Sequence, residues 1–418
     1  MFWLIETSQQ LEDFYNEGYK EVFIEIIPLN YRIHPAQNKI CALFIAPLYS
    51  TKSYMTTIDH NDTFSLGISA IVRLIDSYDV VYTRDKKEFL HYFVHKNIVD
   101  LTFNNPYIPE FTKIYNWFYN RYSDMGNLNK IIPIVKHYEY CEKIYEDLKF
   151  QIGEPINLFY NNKVSMIFNS IERNGLKINK ELYEKHFHPT DSDYIYTQYN
   201  IKTTTARPSN KFGGVNYAAL NKENGERECF IPRNDTLIEF DIKAYHPSLL
   251  SKLVKYEFQG DIHQTLADLY GVSYSESKKI TFHQLYGGIF KQYKDIEFFR
   301  KVQNFIDELW FKFETEGYIE CPISNHKFER DKLENMNPQK LLNYLLQNLE
   351  SSMNVVLLEK IIKIIRGKNT KLILYTYDAF LFDFDESEEY LLKEIEEVFN
   401  VHKLNFKINS GTTYNFSK

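Results

Sequence analysis

Asp241 and Asp378 each stand where a β-prone run gives out. TLIEFDIKAYHPSLL (236–250) carries an apolar run into Asp241, then passes a His-Pro step into a leucine-rich segment. KLILYTYDAFLFDF (371–384) reads as two strands joined by a tight turn that holds Asp378. Two strand-end carboxylates open to solvent are a donor set for a pair of Mg²⁺ ions, which take a few hard oxygens, water and substrate phosphates; Mn²⁺ accepts the same donors. A strand-end aspartate equally serves as a turn or cap residue, so both readings stay open on these residues alone.

A second pattern lies in SYSESKKITFHQLYGG (273–288). Lys278, Phe282 and Tyr286 are spaced i, i+4, i+8 and share one helical face, Ser273 with Glu276 suits the helix start, and Gly287-Gly288 suits its end. A cation and two rings on one stripe fit a nucleotide, with lysine on phosphate and a ring against sugar or base. The plainer alternative is a helix that buries its rings while the lysine reaches water.

The order of these segments resembles family A DNA polymerases. The segments are IERNGLKIN (171–179), YTQYNIKTTTARPSN (196–210), FDIKAYHPSLL (240–250), GDIHQTLADLYGV (260–272), KKITFHQLYGG (278–288), GYIE (317–320), NYLLQN (343–348) and TYDAFLFDF (376–384). The resemblance implies a right-hand polymerase of compact, phage-like or mobile-element type, which extends primer-template DNA with dNTPs in replication or repair. Asp241 and Asp378 would be catalytic and hold two Mg²⁺ with the carbonyl of Ile242. Lys278 and His263 would contact the triphosphate, Phe282 the sugar, and Tyr286 with Gly287 the templating pocket. Thr205, Arg207, Asn343, Gln347 and Tyr377 would lie along the primer-template.

Three departures bear on chemistry. Where the family has a glutamate that crowds the ribose 2′ position, His246 stands, so a primase or RNA polymerase-like activity is the alternative; a catalytically silent DNA-binding scaffold is a further one. Where the family has an arginine four residues before Lys278, Tyr274 stands, with Lys279 as the nearest replacement cation. Beside Asp378 the sequence reads Tyr377-Asp378-Ala379, without the family's auxiliary carboxylate, and Asp383 reads as a strand residue.

The elements that must position these groups imply an α/β and α+β chain with a domain boundary near 150. Residues 1–150, with EVFIEII, KICALFIAPL and helix-strand alternation up to Asp100, read as an α/β layer. By position this region corresponds to an RNase H-like 3′-5′ exonuclease domain. Its first strand offers only Glu25, with Asp85, Asp100 and Glu142 as later candidates, so a degenerate domain is expected. Residues 151–418 would form the polymerase: an antiparallel palm (195–260 and 335–418), helical fingers (261–334) and a vestigial thumb (160–194). Only about 16 residues separate IERNGLKIN from YTQYN, where the family has a long thumb. Low processivity is therefore expected unless an accessory protein clamps the DNA.

The 418 residues exceed what one core usually supports. A net charge of -7 argues against coating nucleic acid by bulk positive charge, so contact requires a local basic groove. Aromatic residues reach 16%, from 33 Tyr and 32 Phe, which suits base stacking as well as a core and also follows from AT-rich coding. Cys41, Cys141, Cys229 and Cys321 are scattered without a C-x-x-C pair, suggesting neither a zinc site nor disulfides. MFWLIETSQQLEDF lacks the features of a secretory leader, and a soluble, cytoplasmic protein without membrane contact is expected.

Overall fold

The computed structural model describes residues 2–103, 110–210 and 214–416, in two compact units, Met1–Arg173 and Asn174–Lys418. No helix among the described residues is long and apolar enough to cross a membrane.

The first unit is built on a six-stranded sheet of β1 (Phe2–Ile5), β2 (Glu21–Pro28), β3 (Ile40–Pro47), β4 (Ser53–Thr57), β5 (Val80–Thr83) and β6 (Ile98–Asp100). The spatial order is β1-β4-β3-β2-β5-β6; β2, β3 and β4 run antiparallel, and β5 and β6 continue parallel to β2. The period of two along β2 explains the layers. Val22, Ile24 and Ile26 pack under helices Ser8–Asn16, Ile68–Asp76 and Lys86–Tyr92, while Phe23 and Ile27 pack under Glu110–Ser123 and Ile134–Leu148. Both faces are covered, which is why β2 and β3 read as continuous apolar runs. Glu25 is the exception on that strand, and it points to the second face.

The units divide at Arg173, later than the boundary near 150 expected from the pattern of elements along the sequence. Helix Ser165–Glu172, continuous with a π-helical turn over Phe159–Val164, carries fully buried Glu172 onto helix Lys86–Tyr92. There Glu172 accepts from Lys87 Nζ at 2.6 Å and pairs with His91 Nε2 at 2.9 Å. A buried ion pair between residues this far apart in sequence has no local signature. This helix, expected within the reduced thumb, therefore belongs to the first unit. The chain then turns through Gly175, where a φ of +63° and a position 3.0 Å from the Tyr196 ring for any β-carbon disfavour other residues.

The second unit centres on a four-stranded antiparallel sheet in the order Lys371–Thr376, Ala379–Phe384, Thr236–Ile242, Phe406–Gly411. Phe240, Phe380 and Phe382 form an aromatic cluster with Phe399 and Phe406, against helix Tyr390–Val401. Leu237 and Leu381 face the opposite way, onto Leu176, Tyr183, Tyr217 and Phe230. The remaining helices, Tyr245–Leu253, Ile262–Tyr270, Tyr274–Gly287, Glu297–Glu316 and Pro338–Ile364, share a core of Leu250, Leu266, Leu285, Phe299, Leu342 and Leu346. Between Asn179 and Tyr196 lies one short helix, Lys180–His186.

Candidate functional site

Along the strand Thr236–Ile242, side chains at 238, 240 and 242 share one buried face, while 237, 239 and 241 share the other, buried at 237 and 239 and partly open at 241. That second face runs from the core at Leu237 through Glu239 to Asp241 at the mouth of a cleft of about 530 Å³. Asp241 is paired with Ala379 on one side and Lys407 on the other. The Ile242 amide donates to the Asp378 carbonyl at 2.9 Å. The adjacent strand and turn therefore bring both expected aspartates to the same cleft, and Asp241, Ile242 and Asp378 all line it. Tyr377 takes a left-handed φ of 60° in the hairpin turn, and Ala244 one of 47° where the strand gives way to the next helix.

Helix Tyr274–Gly287 forms another wall, capped as expected by the Ser273 hydroxyl, which accepts from the Glu276 amide at 3.2 Å. Lys278, Phe282 and Tyr286 all line the cleft, the two rings 4.5 Å apart between centres. Phe282 remains 59% exposed, so burial is not what this ring is for. Gly287 ends the helix and is not among the lining residues. Lys278 Nζ sits 4.7 Å over the Tyr274 ring, and His263 lines the cleft beside them. Burial, with Lys278 second, lowers the His263 pKa. Lys279 is exposed and does not line the cleft; Lys243 and Lys407 do, so these supply the cations near Asp241.

The long helix Pro338–Ile364 presents a polar stripe at 343, 347, 350 and 354. Asn343 Nδ2 donates to the Tyr286 carbonyl at 3.4 Å, and Gln347 Oε1 accepts from the Thr205 hydroxyl at 3.2 Å. Glu350, only 2% exposed, pairs with His246 Nε2 at 2.7 Å and with Arg207 at 3.2 Å. Tyr286 OH is hydrogen bonded to the other nitrogen of His246. Asn354 Nδ2 donates to the Tyr377 carbonyl at 2.6 Å, and its Oδ1 accepts from Tyr245 OH at 2.8 Å. Arg207 lies flat on the Tyr377 ring, 3.7 Å from its centre. Glu350, Asn354, Lys407 and Glu239 escaped the sequence reading. Glu350 and Asn354 had a local signal, on the same helical face as Asn343 and Gln347, and Glu239 had one, two residues before Asp241 on the same strand face; Lys407 had none.

Neither aspartate has a direct ion pair among the described residues, although lysines lie near Asp241 and Arg207 near Asp378. Burial, then the neighbouring charges of Asp241 and Glu350, push the Asp378 pKa up to about 6. Asp241 is raised as well, chiefly by burial, with Lys407 the first of several lysines opposing it. No ion pair holds either carboxylate among the described residues, whereas Asp383, fully buried, accepts from the Arg233 and Asn234 amides. Asp383 is thus a structural strand residue. His263 Nδ1 and Arg207 Nε, on two of the lining residues, are buried polar atoms without hydrogen-bond partners; Asn343 Oδ1 is another, on a residue outside the lining. Unpaired carboxylates with orphaned polar atoms around one cleft are an arrangement completed by a charged, hydrogen-bonding ligand. The all-oxygen donors at Asp241 and Asp378 fit a hard divalent cation.

The acidic candidates of the first unit do not form such a group. Glu25 is 2% exposed and paired with Arg84 at 2.8 Å, with Tyr115 OH donating at 3.3 Å. Asp85 caps helix Lys86–Tyr92 through the Glu88 amide, Glu142 accepts from Tyr138 OH, and Asp100 accepts from the amides of Lys86 and Thr102. Two clusters of metal-ligand types do gather here, Cys41/His60/His137 and His34/His91/Glu172. His60 accepts from the Asp62 amide and hydrogen bonds the Ile132 carbonyl, so both its nitrogens are taken, and Glu172 already neutralises Lys87. Neither cluster is assigned an ion.

No protein-family model and no curated protein matches the chain. Among solved structures it is similar to the POL domain of Pol1 from M. smegmatis in complex with DNA primer-template and dNTP, with a TM-score of 0.71 at 12% identity over 100% of both chains. At that identity the likeness concerns architecture, and the chain has a fold similar to that of a DNA polymerase POL domain.

Proposed function

We propose that the chain is a template-directed DNA polymerase of the family A type, adding deoxynucleotides to a primer 3′-hydroxyl. The observation that carries this reading is the convergence of Asp241 and Asp378, neither held in a direct ion pair among the described residues, in a cleft walled by Lys278, Phe282 and Tyr286. Asp241, Asp378 and the carbonyl of Ile242 would hold two Mg²⁺. When bound, such ions activate the attacking hydroxyl and neutralise charge on the triphosphate. Lys278, His263 and Lys243 would hold phosphates, Phe282 would meet the sugar and Tyr286 with Gly287 the templating pocket, and Arg207 with Tyr377, Thr205, Asn343 and Gln347 would steady the primer-template. The sheet and the long helix form the palm, and helices Ile262–Tyr270, Tyr274–Gly287 and Glu297–Glu316 the fingers.

The first unit is read as an RNase H-like, exonuclease-derived domain without nuclease activity. Its order β4-β3-β2-β5-β6, antiparallel then parallel, suits that fold, and a guanidinium on Glu25 stands where a cation would be needed. The short helix Lys180–His186 in place of a thumb implies few duplex phosphate contacts and hence brief, salt-sensitive encounters with DNA.

Extension of a labelled primer on a DNA template with Mg²⁺ tests the assignment, with Asp241→Asn and Asp378→Asn as controls. Loss of extension in both variants, with retained folding, is expected; extension that survives either substitution sinks the proposal. Parallel dNTP and rNTP reactions decide the primase or RNA polymerase alternative, which His246 motivates.

A further inference from the structure

A third carboxylate beside two that already repel each other is costly, because each buried charge penalises the others. Glu350 raises the Asp378 pKa, and it is more buried than either aspartate. It does not belong to a cation site, because both its oxygens are engaged: Oε2 by His246 at 2.7 Å, and the pair by Arg207 at 3.3 and 3.2 Å. The two residues it holds lead to opposite walls. His246, itself buried, passes the connection to the Tyr286 hydroxyl on the fingers helix. Arg207 passes it to the Tyr377 ring, beside Asp378. One helical turn further on, Asn354 holds the Tyr377 carbonyl.

We infer that Glu350 is a positioning residue: from the floor of the cleft it fixes Tyr286 through His246 and Tyr377 through Arg207, so that the aromatic wall and the carboxylate turn are held at one spacing for the nucleoside triphosphate. The inference rests on the polymerase reading of the same cleft and deepens it. Tyr286 lines the cleft, and Tyr377 adjoins Asp378, which does; Glu350 also reaches the lining, but it is 2% exposed with both oxygens engaged and acts by orienting the other two. Such support is what holds a binding group within the small tolerance that affinity requires. Burial of the Glu350 charge is tolerated because Nη2 of Arg207, shared between both oxygens, and a ring nitrogen of His246 satisfy it.

The experiment is a double-mutant cycle on the full chain with Glu350→Gln, Tyr286→Phe and both, reading equilibrium binding of a Mg²⁺-nucleoside triphosphate and, separately, KM and kcat for extension. Glu350→Gln is expected to weaken binding and raise KM by roughly ten- to a hundredfold, the worth of a charge-assisted hydrogen bond, with a smaller fall in kcat. In the Tyr286→Phe background the same change is expected to cost much less, since the relay is already cut. Unchanged binding in Glu350→Gln, or an equal loss in both backgrounds, overturns the inference. Should Glu350→Gln fail to fold, Glu350→Asp, which keeps the charge and withdraws the oxygens by one methylene, enters the same cycle. A chain that binds the nucleotide but never extends a primer defeats the polymerase reading and leaves the cycle to judge Glu350. A chain that binds no nucleotide defeats both.

Discussion

Replacing Asp378 by asparagine should stabilise the metal-free protein while abolishing its chemistry. Native surroundings move this carboxyl from 3.8 to about 6, through burial first and the charges of Asp241 and Glu350 next. At neutral pH the folded chain therefore carries an ionised group that it would hold more cheaply protonated. The penalty is absent below about pH 4, where the group is protonated in folded and unfolded chains alike; it grows between about pH 4 and 6 and is complete above. Two pKa units correspond to about 2–3 kcal/mol. An asparagine at this position carries no charge and escapes the penalty, so its advantage should appear above pH 6 and vanish near pH 4. For a unit of this size that is roughly 5–10 °C in unfolding midpoint. Thermal unfolding in EDTA at pH 8 and pH 4, for wild type and Asp378→Asn, measures it. Mg²⁺ at pH 8 should narrow the gap, because the ions bind the folded wild type preferentially. A variant that is less stable at pH 8, or whose gain is the same at both pH values, would refute the electrostatic reasoning.

Lys278→Ala is expected to weaken Mg²⁺-nucleotide binding by about ten- to a hundredfold and to change stability by less than about 0.5 kcal/mol, because the side chain is exposed; nucleotide titration alongside thermal unfolding tests both. Arg84→Ala leaves the Glu25 charge buried without its partner and should cost about 3–5 kcal/mol in urea unfolding, most of it recovered by adding Glu25→Gln. Asp383→Ala removes the acceptor of two backbone amides and should cost about 1–3 kcal/mol for each orphaned group, with extension per folded molecule unchanged. With excess trap DNA, single encounters should yield products of few added nucleotides, and long products would contradict the short-thumb reading.

The lining of the cleft was most legible where the signal was local. Asp241 and Asp378 could be found because strand alternation and a hairpin turn are short-range patterns, and Lys278, Phe282 and Tyr286 because four-residue spacing places them on one face. What arrives from a distance was not legible. Lys407 faces Asp241 only because the last strand pairs with the first of that sheet, and Asn354 reaches the Asp378 turn only through tertiary packing. The same reason hid the Arg84 contact that occupies Glu25 and the Glu172 pairing that carries the first unit to residue 173. Lys279 was favoured as the replacement cation by adjacency to Lys278, but neighbours on a helix point about 100° apart, and the cleft takes its extra charge from Lys243 and Lys407 instead.

The strand Thr236–Ile242 is hydrogen bonded along both edges, to Ala379–Phe384 and to Phe406–Gly411. Its residues alternate between an aromatic layer and the cleft, so a single-residue deletion before Asp241 would offer Phe240 to the solvent and thrust the carboxylate among phenylalanines. Loops elsewhere in the chain can lengthen or shorten as homologues diverge. This seven-residue segment has no such freedom, and its length, more than its composition, is what divergence must preserve.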